Sequence, residues 1–360
     1  MKFSICIPNF NYERYLGGTV RSVLAQEGAD FEIRVADNAS TDGSVQLVRE
    51  IGDPRISVTV NRWNVGFAGN LDRACAGASG ERMMLLSSDD LMLPGALSCY
   101  AALVGALGER ADRAVIVSAF EIIDETGKVT GEQGADMRFW AAAVKDEVLS
   151  AAAGCDVLTM PSRALLHDSL TLLRMPAHWL TMCYARSRYE AIEGYGAGRL
   201  TNPDKAFTWK LLSVVDEVIF VNRPLFQYRY HSENQAAQWT RAGALKHLVD
   251  QYVATFDTPP EVLRYANISR EEMAEAFIEQ DIALRGLQKL AQGGRAEAAR
   301  GVDFGRGAYP ALLRRNKKIW ILRLLLALGP IGDFAAAKVY NRALARWSAR
   351  ESRAHGVAAS

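Results

Sequence analysis

The chain has few cysteines, and Cys6, Cys75, Cys99, Cys155 and Cys183 are odd in number, scattered and without metal-type spacing. That excludes a disulfide scaffold or zinc ribbon and reads as small buried hydrophobes in a reducing compartment. Charge of one sign is also missing: 42 Lys and Arg against 41 Asp and Glu leave a net +1. Bulk electrostatics therefore argue against nucleic acid as a partner. The most apolar late run, Ile319 to Leu328, is too short to span a bilayer and contains Arg323. Met1-Lys2 leads directly into Phe3-Ser4-Ile5-Cys6-Ile7, with no signal-peptide pattern, so a cytoplasmic location is expected. No Gly-x-Gly-x-x-Gly follows that first apolar run, which disfavours a dinucleotide oxidoreductase.

What is present is a regular alternation. The 360 residues, 49% hydrophobic and 23% charged, suit two compact regions. Strands are predicted at residues 3–7, 31–36, 56–60, 83–86 and 114–120. Helix-spaced apolar residues separate them, Leu16, Val20 and Val23 first, then Val45, Val48 and Ile51, later Leu97, Tyr100 and Val104. Such β-α alternation predicts a parallel sheet covered on both faces. Residues 121–255 are less regular, with a hairpin expected at Thr126-Gly127-Lys128 and strands at 218–221 and 226–230. Beyond residue 258 the chain reads helical, with a capping box expected at Ser269 to Glu272 and a break at Gly293-Gly294.

Polar clusters follow three of the predicted strands. They are Pro8-Asn9-Phe10-Asn11-Tyr12, Asp37-Asn38 and Ser87-Ser88-Asp89-Asp90. In a parallel sheet all three emerge at the carboxyl edge, where open α/β sheets bind ligands. Adjacent Asp89 and Asp90 repel, and a divalent cation bridging to phosphate oxygens would hold them ionised. Phe10 with Asp37 and Asn38 offers an aromatic wall and edge-reading groups for a flat base.

Four motifs in order, Ile7-Pro8-Asn9-Phe10-Asn11, Asp37-Asn38-Ala39-Ser40-Thr41-Asp42-Gly43-Ser44, Asn64-Val65-Gly66-Phe67-Ala68-Gly69-Asn70 and Ser88-Asp89-Asp90 with Pro94, resemble a family 2 glycosyltransferase of the GT-A fold. The resemblance covers residues 3 to about 120. It implies an α/β fold, with a mostly parallel sheet, flanking helices and a C-terminal helical extension. It implies a nucleoside-diphosphate-sugar donor, with Pro8, Asn9, Phe10 and Asn11 at the base and Asp37 and Asn38 at base and ribose. Asn64, Gly66, Asn70 and Ser88 would line the donor pocket. Asp89, with Asp90 and His231, would hold Mg²⁺ or Mn²⁺. Residues 1–120 would form the donor half, 121–257 the acceptor half and 258–360 a basic helical extension.

The chain departs from that family in two places: Ser87 stands where the first acid of Asp-x-Asp is usual, and Asn38 where a second Asp is commoner. Asp-Asn variants are familiar among relatives with deoxysugar donors, so hexosyl and deoxyhexosyl transfer both stay open. An inverting displacement needs a carboxylate to take the acceptor hydroxyl's proton. Pro203-Asp204-Lys205-Ala206-Phe207 resembles the segment that supplies it, which makes Asp204 the candidate base, with Glu190 and Glu193 in reserve. Tyr228-Arg229-Tyr230-His231 resembles the family's closing segment. His231 there could complete the metal shell or donate to the diphosphate, and Arg229 could face phosphate. The expected reaction is sugar transfer to a hydroxyl of a glycan or lipid-linked acceptor. The nearest enzyme alternative is a sugar nucleotidyltransferase, although that class resembles Gly-Gly-x-Gly-Thr after its first strand where this chain has Pro8-Asn9-Phe10-Asn11. A non-catalytic scaffold of the same fold is the alternative from another class. Residues 310–353 hold ten Lys and Arg against two acids, a local +8, beside an apolar run with Trp320. That composition suits a helix peripheral at the inner face of a membrane.

Overall fold

A computed structural model describes residues 1–196, 200, 203–232, 234 and 244–354, the last stretch as backbone only from 343 onward. The chain divides into two units, Met1–Leu166 with Met175–Ser232, and His167–Arg174 with Glu233–Ser360.

The first unit is built on one mixed sheet. Its strands are β1 (Lys2–Asn9), β2 (Asp30–Asp37), β3 (Ile56–Val60), β4 (Arg82–Leu85), β5 (Leu91–Met92), β6 (Ala114–Ile123), β7 (Val129–Gln133), β8 (Val144–Lys145), β9 (Val157–Pro161), β10 (Cys183–Ala185) and β11 (Glu217–Arg229). The order is β3-β2-β1-β4-β10-β6-β11-β9-β8, with β5 on β11 and β7 on β6. β1, β2, β3 and β4 pair in parallel, as do β6 and β11. β10 runs antiparallel to both β4 and β6, so all six of those long strands point one way and share a carboxyl edge.

The central strands are apolar on both faces, as a sheet covered by helices on each side requires. Ile5, Ile7, Ile33, Val35, Met84 and Ile116 form the middle of the core, and Leu16, Val20, Leu97 and Tyr100 pack onto it from the helices Glu13–Leu24 and Ala96–Leu107. Gly52 ends the helix Ser44–Ile51 at φ +66°, a left-handed cap that only glycine adopts without strain.

Two features of this sheet were not foreseen. β10 is only three residues long and splits an otherwise parallel sheet. Buried Arg82 fastens it there: its guanidinium donates to the carbonyls of Ala111 (2.7 Å), Ala114 (3.2 Å) and Cys183 (3.3 Å). The two strands expected at 218–221 and 226–230 are one strand, β11, whose register shifts around Pro224. Proline has no N–H to give the ladder, so the strand bulges there.

The second unit is helical, as expected. Ser269 and Glu272 form a reciprocal capping box ahead of Arg270–Phe277, and Gly293-Gly294 separates Arg285–Ala291 from Arg295–Ala308. The segment Ile278–Leu284 is π-helical, which apolar periodicity gave no reason to expect.

Candidate active site

β1 ends at Asn9 and β2 at Asp37, side by side in the parallel ladder. Asn9 Nδ2 donates to Asp37 Oδ2 (2.8 Å), Ser40 Oγ donates to the same oxygen (2.6 Å), and Ser40 N donates to Oδ1 (2.9 Å). Both carboxylate oxygens of Asp37 are thus engaged inside the protein. Asn11 and Ala39, at φ +55° and +61°, hold left-handed conformations that cost a non-glycine residue free energy. Asn11 offsets this by accepting from Thr41 N through its side-chain oxygen at 2.8 Å and donating its backbone N–H to Ser40 Oγ at 2.9 Å. The strain lies in the two loops that present Phe10, which stands 41% exposed. Pro8 is buried within β1. Asn9 Oδ1 is buried with no hydrogen-bond partner among the described residues, an unmet acceptor at the strand end.

Asn38 is fully occupied in a neighbouring network. Its Nδ2 donates to Asn64 Oδ1 (2.8 Å) and Gly66 O (3.3 Å), while its Oδ1 accepts from Asn61 Nδ2 (3.0 Å) and Val65 N (2.9 Å). Asn70 Nδ2 donates to Asn9 O (3.2 Å) and Ala36 O (2.9 Å), pinning the helix Gly66–Cys75 to the ends of β1 and β2. Asn38, Asn64 and Asn70 therefore shape the wall of this edge through contacts with one another and with backbone. Gly66, at φ +81°, has open space where a Cβ would stand.

The acidic turn after β4 separates its two carboxylates. Asp90 is buried: Oδ1 accepts from Arg229 N (2.8 Å), and Oδ2 has no hydrogen-bond partner among the described residues. Burial, and then the charge of Asp89, push the Asp90 carboxyl well above the usual carboxylate range, against the pull of the Arg229 amide. Asp89 faces the other way, its side chain 11% exposed, with Oδ2 at 3.0 Å from His231 Nε2. Asp90 thus lies deeper than Asp89, and the two adjacent acids sit in unequal surroundings. Ser88 is buried beside them, and Thr19 Oγ1 lies 3.0 Å from Ser88 O and 2.8 Å from Asp90 O, fixing the turn.

Arg229 anchors rather than reaches outward. Its Nε donates to Asp89 O (2.9 Å), its Nη1 to Asp124 O (3.1 Å), and its guanidinium lies 4.9 Å from the centre of the Tyr15 ring. These contacts hold it on the turn, away from the phosphate role anticipated for it. Tyr12 and Tyr15 flank the His231 ring at 5.8 and 4.9 Å. Sequence reasoning missed Thr19 and Tyr15, which sit on an amphipathic helix face and carry no motif.

A carboxylate beside an imidazole suits Mg²⁺ or Mn²⁺ in its donor set. Among the described residues no group of three His, Cys, Asp or Glu converges on one point. Asp89 and His231 would hold such a cation as a two-residue set, leaving its other positions to water and phosphate oxygens.

Asp204 opens the helix Asp204–Leu212, where an acid suits the dipole, and its Oδ1 accepts from Lys205 N at 2.7 Å. Lys210 on the same helix donates to Ile192 O and Gly194 O, each at 2.9 Å, binding the helix to the turn before it. Glu190 is exposed and paired with Arg186 (2.7 Å), and Glu193 is exposed at φ +57°. Trp179 meets Phe67 edge-on at 6.1 Å. His178 sits between Phe120 (4.9 Å) and Tyr228 (5.0 Å), and burial pushes its pKa down to about 4.

Residues 4–156 match the family model Glycosyl transferase family 2. They belong to glycosyltransferase family 2. The matched stretch holds all four donor-side motifs. Over 94 residues the chain is 35% identical to the UDP-Glc:alpha-D-GlcNAc-diphosphoundecaprenol beta-1,3-glucosyltransferase WfgD of Escherichia coli, a stretch that is 26% of this chain and 37% of that protein. Over 100 residues it is 35% identical to the GalNAc(5)-diNAcBac-PP-undecaprenol beta-1,3-glucosyltransferase of Campylobacter jejuni, covering 27% of this chain and 32% of that one. The chain thus spans about a third of the length of these curated relatives. The crystal structure of S. aureus TarS 1–349 in complex with UDP-GlcNAc superposes over 96% of this chain and 92% of that one, with a TM-score of 0.60 at 17% identity. This likeness shows the fold: the GT-A architecture implied by the motifs, followed by helices.

Proposed function

We propose that this glycosyltransferase transfers a hexosyl or deoxyhexosyl unit from a nucleoside-diphosphate sugar to a hydroxyl of a lipid-linked glycan, with inversion. The observation that carries the reading is the Asp89–His231 pair, held together just beneath the surface at the same sheet edge as Asn9 and Asp37. Residues up to about 120 form the donor half in this reading, and 121–257 the acceptor half. Phe10, exposed at this edge, lies against the base. Asp89 and His231 hold Mg²⁺ or Mn²⁺, which when bound stabilises the departing diphosphate. Asp204 takes the proton of the acceptor hydroxyl. The lipid-linked acceptor comes from the names of the two undecaprenol-linked relatives.

Ser87, in place of the first acid of Asp-x-Asp, favours a second reading, a scaffold that binds donor without turnover. One experiment separates them. Purified protein is incubated with UDP-, GDP- and dTDP-sugars, with and without Mn²⁺, and diphosphate release is followed with and without a polyprenyl-diphosphate sugar. Acceptor-stimulated release supports the transferase. Donor-dependent thermal stabilisation without release, in every combination, supports the scaffold, since a ligand that binds only the native state raises the melting temperature.

A further inference from the structure

The helices Lys317–Ala327 and Pro330–Ala354 of the second unit carry a surface that the donor and acceptor chemistry leaves unused. Trp320, Ile321, Leu324, Leu328, Ile331 and Phe334 are all exposed there, from 41% at Ile321 to 76% at Phe334. At about 100° per residue, the first four fall within roughly a quarter turn. Ile319, Leu322 and Leu325 face inward on the other side of that helix. On the next helix Ile331 and Phe334 share a face with exposed Lys338 and Arg342, while Gly332 and Ala336 are buried. Scattered apolar side chains on a surface need no explanation, but six on two successive helices, on one side of each, do.

Cations accompany the row. Arg323 lies 6.0 Å from the centre of the Trp320 ring, and Lys338 Nζ 5.6 Å from that of Phe334. Among the described residues, none of Arg314, Arg315, Lys317, Arg323 and Lys338 makes an ion pair. Asp333 is the only acid between residues 310 and 342, and Arg295 holds it at 2.7 Å. The same guanidinium donates to Leu326 O and Gly329 O, clamping the turn between the helices. The tail arginines Arg346, Arg350 and Arg353 have side chains outside the described residues.

We infer that this surface docks on an anionic lipid bilayer. Exposed Trp, Phe, Leu and Ile enter the boundary between headgroups and acyl chains, and the surrounding cations meet anionic headgroups. A second copy of the chain is a poor occupant, because an isologous contact would set this positive surface against itself. A nucleic acid would match the charge and leave the apolar row in water. No helix among the described residues is long and apolar enough to cross a membrane, so the contact is peripheral. The inference does not rest on the transferase reading, since no donor or base candidate lies in this surface.

The test is co-sedimentation of the full chain with vesicles of phosphatidylcholine alone and of phosphatidylcholine with phosphatidylglycerol. Binding to the anionic vesicles and release at high salt are expected. Arg315→Ser with Lys317→Ser should weaken binding by roughly 30-fold, about fivefold for each cation near an anionic surface. Leu324→Ser with Phe334→Ser should weaken it by about tenfold or more, with an unchanged melting temperature because both side chains are exposed. Trp320→Ala with Ile331→Ser is a second apolar pair with the same expected loss. Equal binding to neutral vesicles, or full binding by both apolar pairs, overturns the inference. So does a dimer that fails to bind vesicles and that either apolar pair converts to monomer, which would make the row a contact between copies.

Discussion

His231 Nε2 and Asp89 Oδ2 lie 3.0 Å apart although 142 residues separate them in the chain. The sheet brings them together: β4 delivers one side chain and β11 the other to the same carboxyl edge. Arg229, two residues before the histidine, secures the approach through its bonds to Asp89 O and Asp90 Oδ1. Residues joined this way should act as a unit. Asp89→Ala should lower transfer by on the order of 10²–10³, the usual cost of removing one group that stabilises developing charge. The Asp89→Ala/His231→Ala double variant should be little worse than Asp89→Ala alone, because each single change already breaks the pair. Initial rates with Mn²⁺, on protein shown folded by circular dichroism, decide this. Strictly multiplicative losses would mean that the two residues act separately.

Asn38 offers a test of the donor-side wall. The Asp that is commoner at this position would lose the donation to Asn64 Oδ1 and set a carboxylate against that oxygen and Gly66 O. Asn38→Asp is expected to cost about 1–3 kcal/mol, the penalty for unsatisfied buried polar groups. Donor affinity should weaken with it, because Asn64, Val65 and Gly66 lose their anchor. A melting temperature equal to or above that of the parent chain would show that the network is not what holds this loop.

Much of this arrangement was legible beforehand, for a physical reason. Ile5, Ile33 and Met84 lie in short apolar runs ending in turn formers, and a parallel sheet then forces Asn9, Asp37 and Asp89 to one edge. The inequality of Asp89 and Asp90 was not legible. It depends on β11 lying over the turn and supplying the Arg229 amide, a contact made across 139 residues. Asn38 was read as facing a ligand because its type suits a base, yet three further asparagine and glycine positions, drawn from the next loop, occupy it. β10 escaped notice because three residues carry no period. Helical stretches in the second unit were readable from caps and glycines, but the π-helical turn at Ile278–Leu284 was not.

Glu32 ties stability to pH at the opposite edge of the sheet. Burial alone would raise its pKa, but hydrogen bonds from Ser4, Ser79 and Lys2 outweigh it and bring the carboxyl down to about 2 from 4.5. A depressed carboxylate stabilises the fold above its unfolded pKa, and that contribution fades as pH falls through the window between the two values. Glu32→Gln should therefore melt below the parent chain near neutral pH, with a deficit that shrinks steadily below about pH 4.5. Thermal melts across that range measure it. A deficit that stays constant with pH would mean that the loss comes from shape alone.

The most demanding prediction concerns Asp204. An amide in its place keeps the size, and its oxygen can still accept from Lys205 N, so the helix Asp204–Leu212 should form as before. An amide does not take a proton at neutral pH. If Asp204 is the base, Asp204→Asn leaves donor-induced thermal stabilisation unchanged and lowers kcat by at least ~100-fold, the low end of what a general base contributes. Donor binding and turnover must be measured on the same preparation, since a folding defect would lower both together. Glu190→Gln and Glu193→Gln serve as controls: Glu190 is already paired with Arg186 at the surface, and both variants should keep most of the activity. If Asp204→Asn stays active while one of those two loses turnover, the proton goes elsewhere, and the helix-opening aspartate is there for the dipole.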